Sequence, residues 1–587
     1  MPGLAAIIGT EPGEARRELE TMLASLQGPD PQPVRRLALD RLGLFAGCVG
    51  QVEPEAGGTG AGRAADVAVI FHGQDFSALR PDELYQRLGE DFPAALNGFF
   101  HGLLVDARAG RAILFNDRFG LRRLYWHEGP GGLYVATEAK AILAVRPELR
   151  RFDPPGLGEW LSCGAVLEDR TLFAGIRALP AGSVWTFGPD GSRTRRSYFS
   201  PAAWESADKL DQAEFFDRLG RVFPEVLARY LDPHGPTGLS VTGGIDTRLI
   251  LAHLGDRRSD VRCYSFCGPR RESLDVTIGR KAARIAGCPH TTLRIGPDFF
   301  ERFEDLARAV VERTDGNLDL TGAPNLYMCR LARDISPVRL TGNYGSEVLR
   351  RTRTFGPNPS ISGVLSPGGR ALVEEAGRRW PGVMGGPALT SIVFRQIPWY
   401  SYNRLQLEES ATIMRSPFLD NDLLELIYRA PAAIEDWTGL SLRLIAAGDP
   451  RLGALPTDRG LTWPRRPGGG LVHAYYELMF RLEYLASHGM PKRLAGLDRR
   501  LGPFGLEGLF LGRNKYYHLR QWFRDELAGF VRRIALDPRT LRRDYLDGPA
   551  VRAAVEKHLA GVENHTQAIN KIITLELANE IILKGAS

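Results

Sequence analysis

Ser240-Val241-Thr242-Gly243-Gly244-Ile245-Asp246-Thr247-Arg248 is the stretch on which the reading of this chain turns. A short apolar strand, read as Thr237 to Thr242, runs into two glycines, and a helix starts at about Asp246. Glycine lets a backbone approach a ligand closely and take positive φ, so successive N–H groups can converge on phosphate oxygens. Thr242 and Thr247 add hydroxyl donors. An aspartate among phosphates repels them unless a cation intervenes, which makes Asp246 an expected Mg²⁺ ligand. A plain strand-to-helix turn with Asp246 as its N-cap fits the same tract, so the neighbouring segments have to decide.

Downstream, Val261 to Cys267, a helix over Ser273 to Ala286, and strands at His290 to Ile295 and Pro337 to Thr341 alternate in βαβ order. That alternation predicts a parallel sheet with helices on both faces and ligands at the carboxyl ends of its strands. Upstream, Phe216, Leu219, Phe223, Val226, Leu227 and Tyr230 recur at helical spacing and give an amphipathic helix. Before it, between Tyr198 and Asp211, the apolar pattern lapses, which marks a domain boundary. The first ~200 residues have another texture: short strands such as Val67 to Phe71, Gly102 to Asp106, Ala112 to Asn116 and Gly132 to Thr137, punctuated by Gly, Asp and Asn. Two domains are therefore expected, 1–200 and 208–587, in line with a length of 587 residues. Gly356 to Gly369, Val393 to Trp399 and Pro464 to Gly470 read as loops near a site.

Composition excludes several classes. The formal charge of +6 from 75 basic and 69 acidic residues, with no dense Lys/Arg block, gives no nucleic-acid or membrane surface. Six scattered cysteines (Cys48, Cys163, Cys263, Cys267, Cys288, Cys329) show neither zinc spacing nor a disulfide framework, and no apolar run is long enough to span a bilayer. A cytoplasmic protein is the expectation.

The glycine tract resembles the Ser-Gly-Gly-x-Asp-Ser pyrophosphate loop of the asparagine synthetase family, with threonine for both serines. Tyr264-Ser265-Phe266-Cys267-Gly268 resembles that family's adenine-side strand, and Leu340-Thr341-Gly342-Asn343-Tyr344-Gly345-Ser346-Glu347 its second nucleotide loop. Arg415-Ser416-Pro417-Phe418-Leu419-Asp420, Leu455-Pro456 and Asn564-His565 follow in the family's order. In the first domain Leu96-Asn97-Gly98, Asp117-Arg118-Phe119-Gly120 and Ala136-Thr137-Glu138-Ala139-Lys140 resemble the class II glutamine amidotransferase scaffold. The fold this implies is mixed α/β and α+β. An Ntn-hydrolase-like αββα sandwich precedes an adenine-nucleotide α-hydrolase-like parallel-sheet domain with a helical C-terminal part.

The resemblance implies an ATP-dependent carbon–nitrogen ligase working through an acyl-adenylate, with ATP and Mg²⁺ required and a small-molecule or peptide carboxylate as substrate. It assigns Val241, Thr242, Gly243, Gly244, Asp246, Thr247, Phe266, Thr341 and Gly342 to ATP and pyrophosphate, and Asp246 and Glu347 to the metal. Tyr344 falls where amide synthetases carry a glutamate if Asn343 is an insertion. β-Lactam synthetases use a tyrosine there as part of a base, and Glu408 or Glu409 would partner it; without the insertion Asn343 takes the place, and a merely packed aromatic is the other reading of Tyr344. The family's pyrophosphate lysine lies in an Arg-x-Lys element after the Leu-Pro. This chain has Asp458-Arg459-Gly460 there, so Arg459 is the expected substitute, ahead of Arg415 and Arg443.

Glutaminase domains of this class use a cysteine after the initiator Met; position two here is Pro2. The Asn-Gly substrate loop is reduced to His72-Gly73, and the Gly-Ser-Asp that holds glutamine is missing between Arg80 and Leu96. Cys48, in an apolar stretch, reads as buried and inert. An inactive glutaminase domain resembles the β-lactam synthetases and lasso-peptide cyclases. The amine would then come from the substrate, from free ammonia or from a biosynthetic partner protein. An ammonia- or partner-dependent amidotransferase acting on a sugar acid or peptide, and a nucleotide-binding scaffold without turnover, are the competing expectations.

Overall fold

The computed structural model describes residues 3–28, 31–50, 66–492 and 494–584; Pro2 lies outside them. The N-terminal half stacks two antiparallel sheets. In the six-stranded sheet the order is Val34–Leu39, Leu44–Val49, Gly3–Ile8, Gly132–Ala136, Tyr125–Gly129 and Arg177–Ala178. In the five-stranded one it is Arg193–Ser197, Ser183–Phe187, Arg111–Asn116, Gly98–Asp106 and Val67–Asp75.

Strand Gly3–Ile8 shows why the layers form. All six of its residues are buried, because alternate side chains serve two cores. Leu4, Ala6 and Ile8 join Leu103, Leu114 and Trp185 between the sheets, while Ala5 and Ile7 meet Leu19, Met22 and Leu23 of helix Pro12–Leu26. On the far face Phe100, Leu104, Ile113 and Phe115 pack with Leu84 of helix Pro81–Leu88. The arrangement is the expected αββα sandwich.

The second half carries a five-stranded, wholly parallel sheet in the order His290–Arg294, Val261–Cys267, Thr237–Ser240, Val338–Leu340, Ile413–Arg415. Strand Thr237–Ser240 is central and the chain order reverses beside it, which opens a crevice at its carboxyl end. Helix Gln212–Tyr230 covers the sheet with Phe215, Leu219, Phe223, Val226, Leu227 and Tyr230. Phe215, not the expected Phe216, takes the buried position: 215, 219, 223, 226 and 230 follow one stripe, and Phe216 turns out under the Arg443 guanidinium. The C-terminal part is helical.

The boundary stretch Tyr198 to Asp211 holds a short helix, Ala202–Glu205, whose Trp204 is buried in the second domain's core. The halves interlock by polar contacts. Asn97 donates to Asp420 Oδ2 (3.0 Å) and accepts the Asn421 N–H (3.0 Å), and Gln74 donates to the Met414 carbonyl (2.7 Å). Helix Pro154–Cys163, N-terminal by sequence, packs on helix Pro367–Val383, and its Trp160 indole N–H reaches the Asn317 carbonyl at 3.0 Å. Val393 to Trp399 is not a loop; it lies inside the π-helical turn Ile392–Ser401. Among the described residues no helix is long and apolar enough to cross a membrane.

Candidate functional site

A cavity of about 940 Å³ opens at the carboxyl end of the parallel sheet. Thr242, Gly244, Asp246 and Thr247 line it from the glycine turn, Phe266 from the next strand, and Thr341, Gly342, Tyr344 and Glu347 from the second loop. The sequence-predicted residues are thus largely brought together. Val241 is fully buried beneath the turn, bonded to Tyr264 and Ser265, and supports it rather than facing the cavity.

The turn's donors are not all free. Gly243 N–H donates to Asp275 Oδ1 (2.8 Å), while the Thr242 and Gly244 N–H groups donate to the hydroxyls of Thr247 (3.3 Å) and Thr242 (3.2 Å). Hydroxyls at that distance are weak acceptors that phosphate oxygens displace, so Thr242 and Gly244 can turn to a ligand while Gly243 stays a structural hinge. Arg248, fully buried, donates to the carbonyls of Gly243 and Pro456 (3.2 Å each) and of Leu455, tying the turn to the Leu-Pro segment. Burial raises Asp275 to about 7, with the neighbouring Asp458 charge as the next cause.

The second loop is pressed against the first. A Cβ on Gly342 would lie 2.8 Å from Thr247 Cγ2, and one on Gly345 2.6 Å from Asp246 Cγ. Tyr344 takes a left-handed φ of 71°, a costly conformation for a non-glycine residue and one that gathers at functional sites. Burial pushes its phenol well above the ordinary value, and the charges of Glu408, Glu409 and Glu347 push it further. Tyr344 therefore keeps its proton near neutrality; a carboxylate beside it is the better proton acceptor. Glu408 faces the cavity and accepts from Asn325 (3.3 Å), with Arg339 at 3.6 Å.

Asp246 and Glu347 face the same cavity, close enough that the Asp246 charge helps raise the Glu347 carboxyl, behind burial as the main cause. Arg350 holds Asp246 through two contacts of 2.6 and 2.9 Å. Two adjacent acids that already recruit a guanidinium suit a divalent cation completed by phosphate oxygens, the usual way Mg²⁺ is bound at nucleotide sites. Among the described residues no group of three or more acidic, His or Cys side chains forms a metal cage.

Arg459 is a correction. It pairs with Glu477 (2.6 Å) and Asp458 (3.5 Å), stacks 3.4 Å from the Phe480 ring centre, and does not line the cavity. Arg415 bonds the Tyr230 carbonyl and Arg443 stacks on Phe216, also away from it. Among the cations that line the cavity, with Arg339, Arg404 and Lys571, is Lys515. Its backbone N–H is held by Glu483 (3.2 Å), and its ammonium lies 5.4 Å from the Tyr484 ring and bonds no carboxylate among the described residues. The sequence did carry the signal. Arg513-Asn514-Lys515 is an Arg-x-Lys element, displaced from Leu455-Pro456 by the helical segments Gly469–Ala486, Leu494–Arg500 and Leu506–Phe510.

In the first domain His72-Gly73 lies inside strand Val67–Asp75, paired along strand Gly98–Asp106, not in a loop. His72 Nδ1 is 3.0 Å from His101 Nε2, and Arg122 bridges His72 (3.1 Å) to Glu409 (2.5 Å). Burial lowers His101 to about 3 and raises Glu409 to about 7, so the position is filled by a closed polar chain. Cys48 is fully buried with its thiol raised to about 11, which rules out a ready thiolate.

Comparison with known proteins gives the same two halves. Residues 82–199 match the glutamine amidotransferase domain family and 219–360 the asparagine synthase family. "Asparagine synthetase [glutamine-hydrolyzing] 1" of Bacillus subtilis is 23% identical over 268 residues, covering 45% of this chain and 41% of that protein. A "Putative asparagine synthetase [glutamine-hydrolyzing]" of Mycobacterium bovis is 26% identical over 45% of this chain and 41% of its own. "Amidase chyE" of Penicillium rubens is 28% identical over 38% and 35%. The matches thus span less than half of these relatives. An amidotransferase domain followed by an asparagine synthase domain, in the order the two folds occur, with the glycine turn and second loop facing one cavity, makes the chain similar in both halves to the asparagine synthetase-like family.

Proposed function

We propose that the protein is an ATP-dependent, AMP-forming carbon–nitrogen ligase whose own N-terminal domain hydrolyses no glutamine. The observation that carries this is the convergence of Thr242, Gly244, Asp246, Glu347 and Lys515 on one cavity. Thr242, Gly244 and Thr247 hold the β- and γ-phosphates, and Lys515 neutralises the leaving pyrophosphate. Asp246 and Glu347 would hold Mg²⁺, which when bound would screen the triphosphate charge.

A substrate carboxylate oxygen attacks the α-phosphorus, the P–O bond to pyrophosphate breaks, and an acyl-adenylate remains. An amine nitrogen next attacks the acyl carbon, loses its proton to Glu408, and AMP leaves. Tyr344, kept protonated by its surroundings, hydrogen-bonds and orients within that pair rather than acting as the base alone.

The His72–His101–Arg122–Glu409 chain supports an amine drawn from the substrate itself, from ammonia or from a partner protein. ATP–pyrophosphate exchange with a panel of carboxylic acids tests the ligase. Exchange with none of them, together with tight ATP binding, would leave the nucleotide-binding scaffold instead. Dependence on added ammonia separates the intermolecular amidotransferase from a cyclase. Glutamate release from glutamine at the rate of ATP turnover would remove the inactive-glutaminase part.

A further inference from the structure

An aromatic ladder runs into the cavity and ends there on an uncovered ring. Tyr400 lies in the π-helical turn Ile392–Ser401 and lines the cavity with Phe355 and Gly164. The Trp380 ring stands edge-on to Phe355, with centres 4.7 Å apart and planes at 78°. Phe355 in turn stacks on Tyr400 at 5.1 Å and 17°. The ladder stops at Tyr400: among the described residues no further ring lies against it, and 36% of the residue stays exposed. A ring stacked on one side only leaves apolar surface facing water, which is unfavourable until something covers it.

Its neighbours limit what can cover it. Gly164 caps helix Pro154–Cys163 in a left-handed conformation (φ 76°) and sits so near that a Cβ there would lie 3.7 Å from Tyr400 Cε2. Trp160 and Cys163 of the same helix also line the cavity, so the N-terminal domain builds this end of it. The Tyr400 hydroxyl senses the charges of Asp319 and Arg404, which sets the edge of the ring, rather than its face, towards polar groups. Along the chain Tyr400 precedes Glu408, the proton acceptor of the amide step, by eight residues of continuous helix (400 to 408), about 12 Å at ~1.5 Å per residue. Two to three extended residues at ~3.3–3.6 Å each, with a side chain added, span that distance, and a single aromatic acid does not. The volume of about 940 Å³ is near the top of the ~300–1,000 Å³ usual for a site with one small ligand, which leaves room beside a nucleotide.

We propose that the Tyr400 ring is a stacking platform that selects peptide acids carrying an aromatic side chain two or three residues before the one whose carboxylate is activated. That side chain adds a rung to the Trp380–Phe355–Tyr400 ladder, and the backbone that follows it leads the carboxylate to the nucleotide. This rests on the ligase reading for the fate of the carboxylate, while the platform itself is defined by the ladder and its uncovered end. Because Gly164 borders the platform, the N-terminal domain takes part in substrate recognition without hydrolysing glutamine.

The test is ligand-observed NMR on the full chain without nucleotide, using acetyl-phenylalanyl-glycyl-glycine and its cyclohexylalanyl counterpart. The second peptide keeps the carboxylate, the length and the apolar bulk but has no π-system. The phenyl peptide should bind about fivefold more tightly, within the range an aromatic pair adds beyond its buried area. Tyr400→Leu should erase that preference and Tyr400→Phe should retain it; circular dichroism checks that both fold, and Tyr400→Met replaces the leucine variant if it does not. Equal or weaker binding of the phenyl peptide, no binding of either, a preference that survives loss of the Tyr400 ring, or its loss in Tyr400→Phe would each overturn the platform. Failure of the ligase reading shows elsewhere, as absent ATP–pyrophosphate exchange.

Discussion

Replacing Lys515 by methionine should slow ATP–pyrophosphate exchange severely, while the same change at Arg459 should not. Among the described residues the Lys515 ammonium has no carboxylate partner, and burial, which lowers its pKa and disfavours the lone charge, makes an incoming anion a favourable partner. At ~4 Å and an effective dielectric of ~20, one charge pair is worth about 4 kcal/mol. Loss of a donor at developing charge usually costs about 2.7–4 kcal/mol, or roughly 10²–10³ in rate. No structural bond is lost with the ammonium, because the fold uses the Lys515 backbone N–H on Glu483. The expected outcome is therefore exchange slowed by about 10²–10³ with an unchanged melting temperature. Arg459→Met removes an ion pair with Glu477 and a stack on Phe480, so its effect should fall on stability, by about 1 kcal/mol or less. The assay is exchange of labelled pyrophosphate into ATP at saturating acid substrate, with thermal melts in parallel. The reasoning fails if Arg459→Met slows exchange as much as Lys515→Met, or if Lys515→Met stays within about threefold of the parent.

Other outcomes follow from the same geometry. Glu408→Gln should reduce amide formation by roughly 10²–10⁴ while leaving pyrophosphate exchange near normal, with Tyr344→Phe milder; single-turnover product analysis reads both. Gly345→Ala drives a methyl towards Asp246 Cγ and should destabilise by about 1–3 kcal/mol and impair exchange, as melts and exchange rates will show. Asp275 has its folded pKa raised to about 7 from 3.8, so the folded state binds the extra proton and stability falls as pH climbs between those values. Asp275→Asn, whose amide oxygen can still accept from Gly243, should flatten that part of the profile in melts recorded across the range. Glutamine added to the purified protein should yield no glutamate beyond background in a coupled dehydrogenase assay.

Several features were legible because they are local. The strands at Ala112 to Asn116 and Gly132 to Thr137, the βαβ succession from Thr237 to Leu340 and the glycines at 243 and 244 follow from backbone sterics and side-chain period, which neighbours in sequence suffice to set. Strand Val261–Cys267 coincides with the expected range, and Thr237–Ser240 ends two residues before the expected Thr242. The exchange of Phe216 for Phe215 arose because both aromatic residues fit a helical stripe and only packing selects one. Arg459 was misplaced for another reason. Proximity to Leu455-Pro456 in sequence was taken for proximity in space, but helical segments intervene before the Arg-x-Lys element returns to the cavity.

By itself the sequence determined two kinds of sheet and the glycine turn between strand and helix, since each depends on residue identity and short spacing. Tertiary structure alone decided that Lys515 lines one cavity with the glycine turn, that Arg350 sits on Asp246, that burial and acidic neighbours push the Tyr344 phenol up, and that a helix of the first domain walls the second domain's cavity. Those outcomes depend on which distant groups share a buried space, where a charge is weighed against every neighbour at once, and no short stretch of sequence contains that balance.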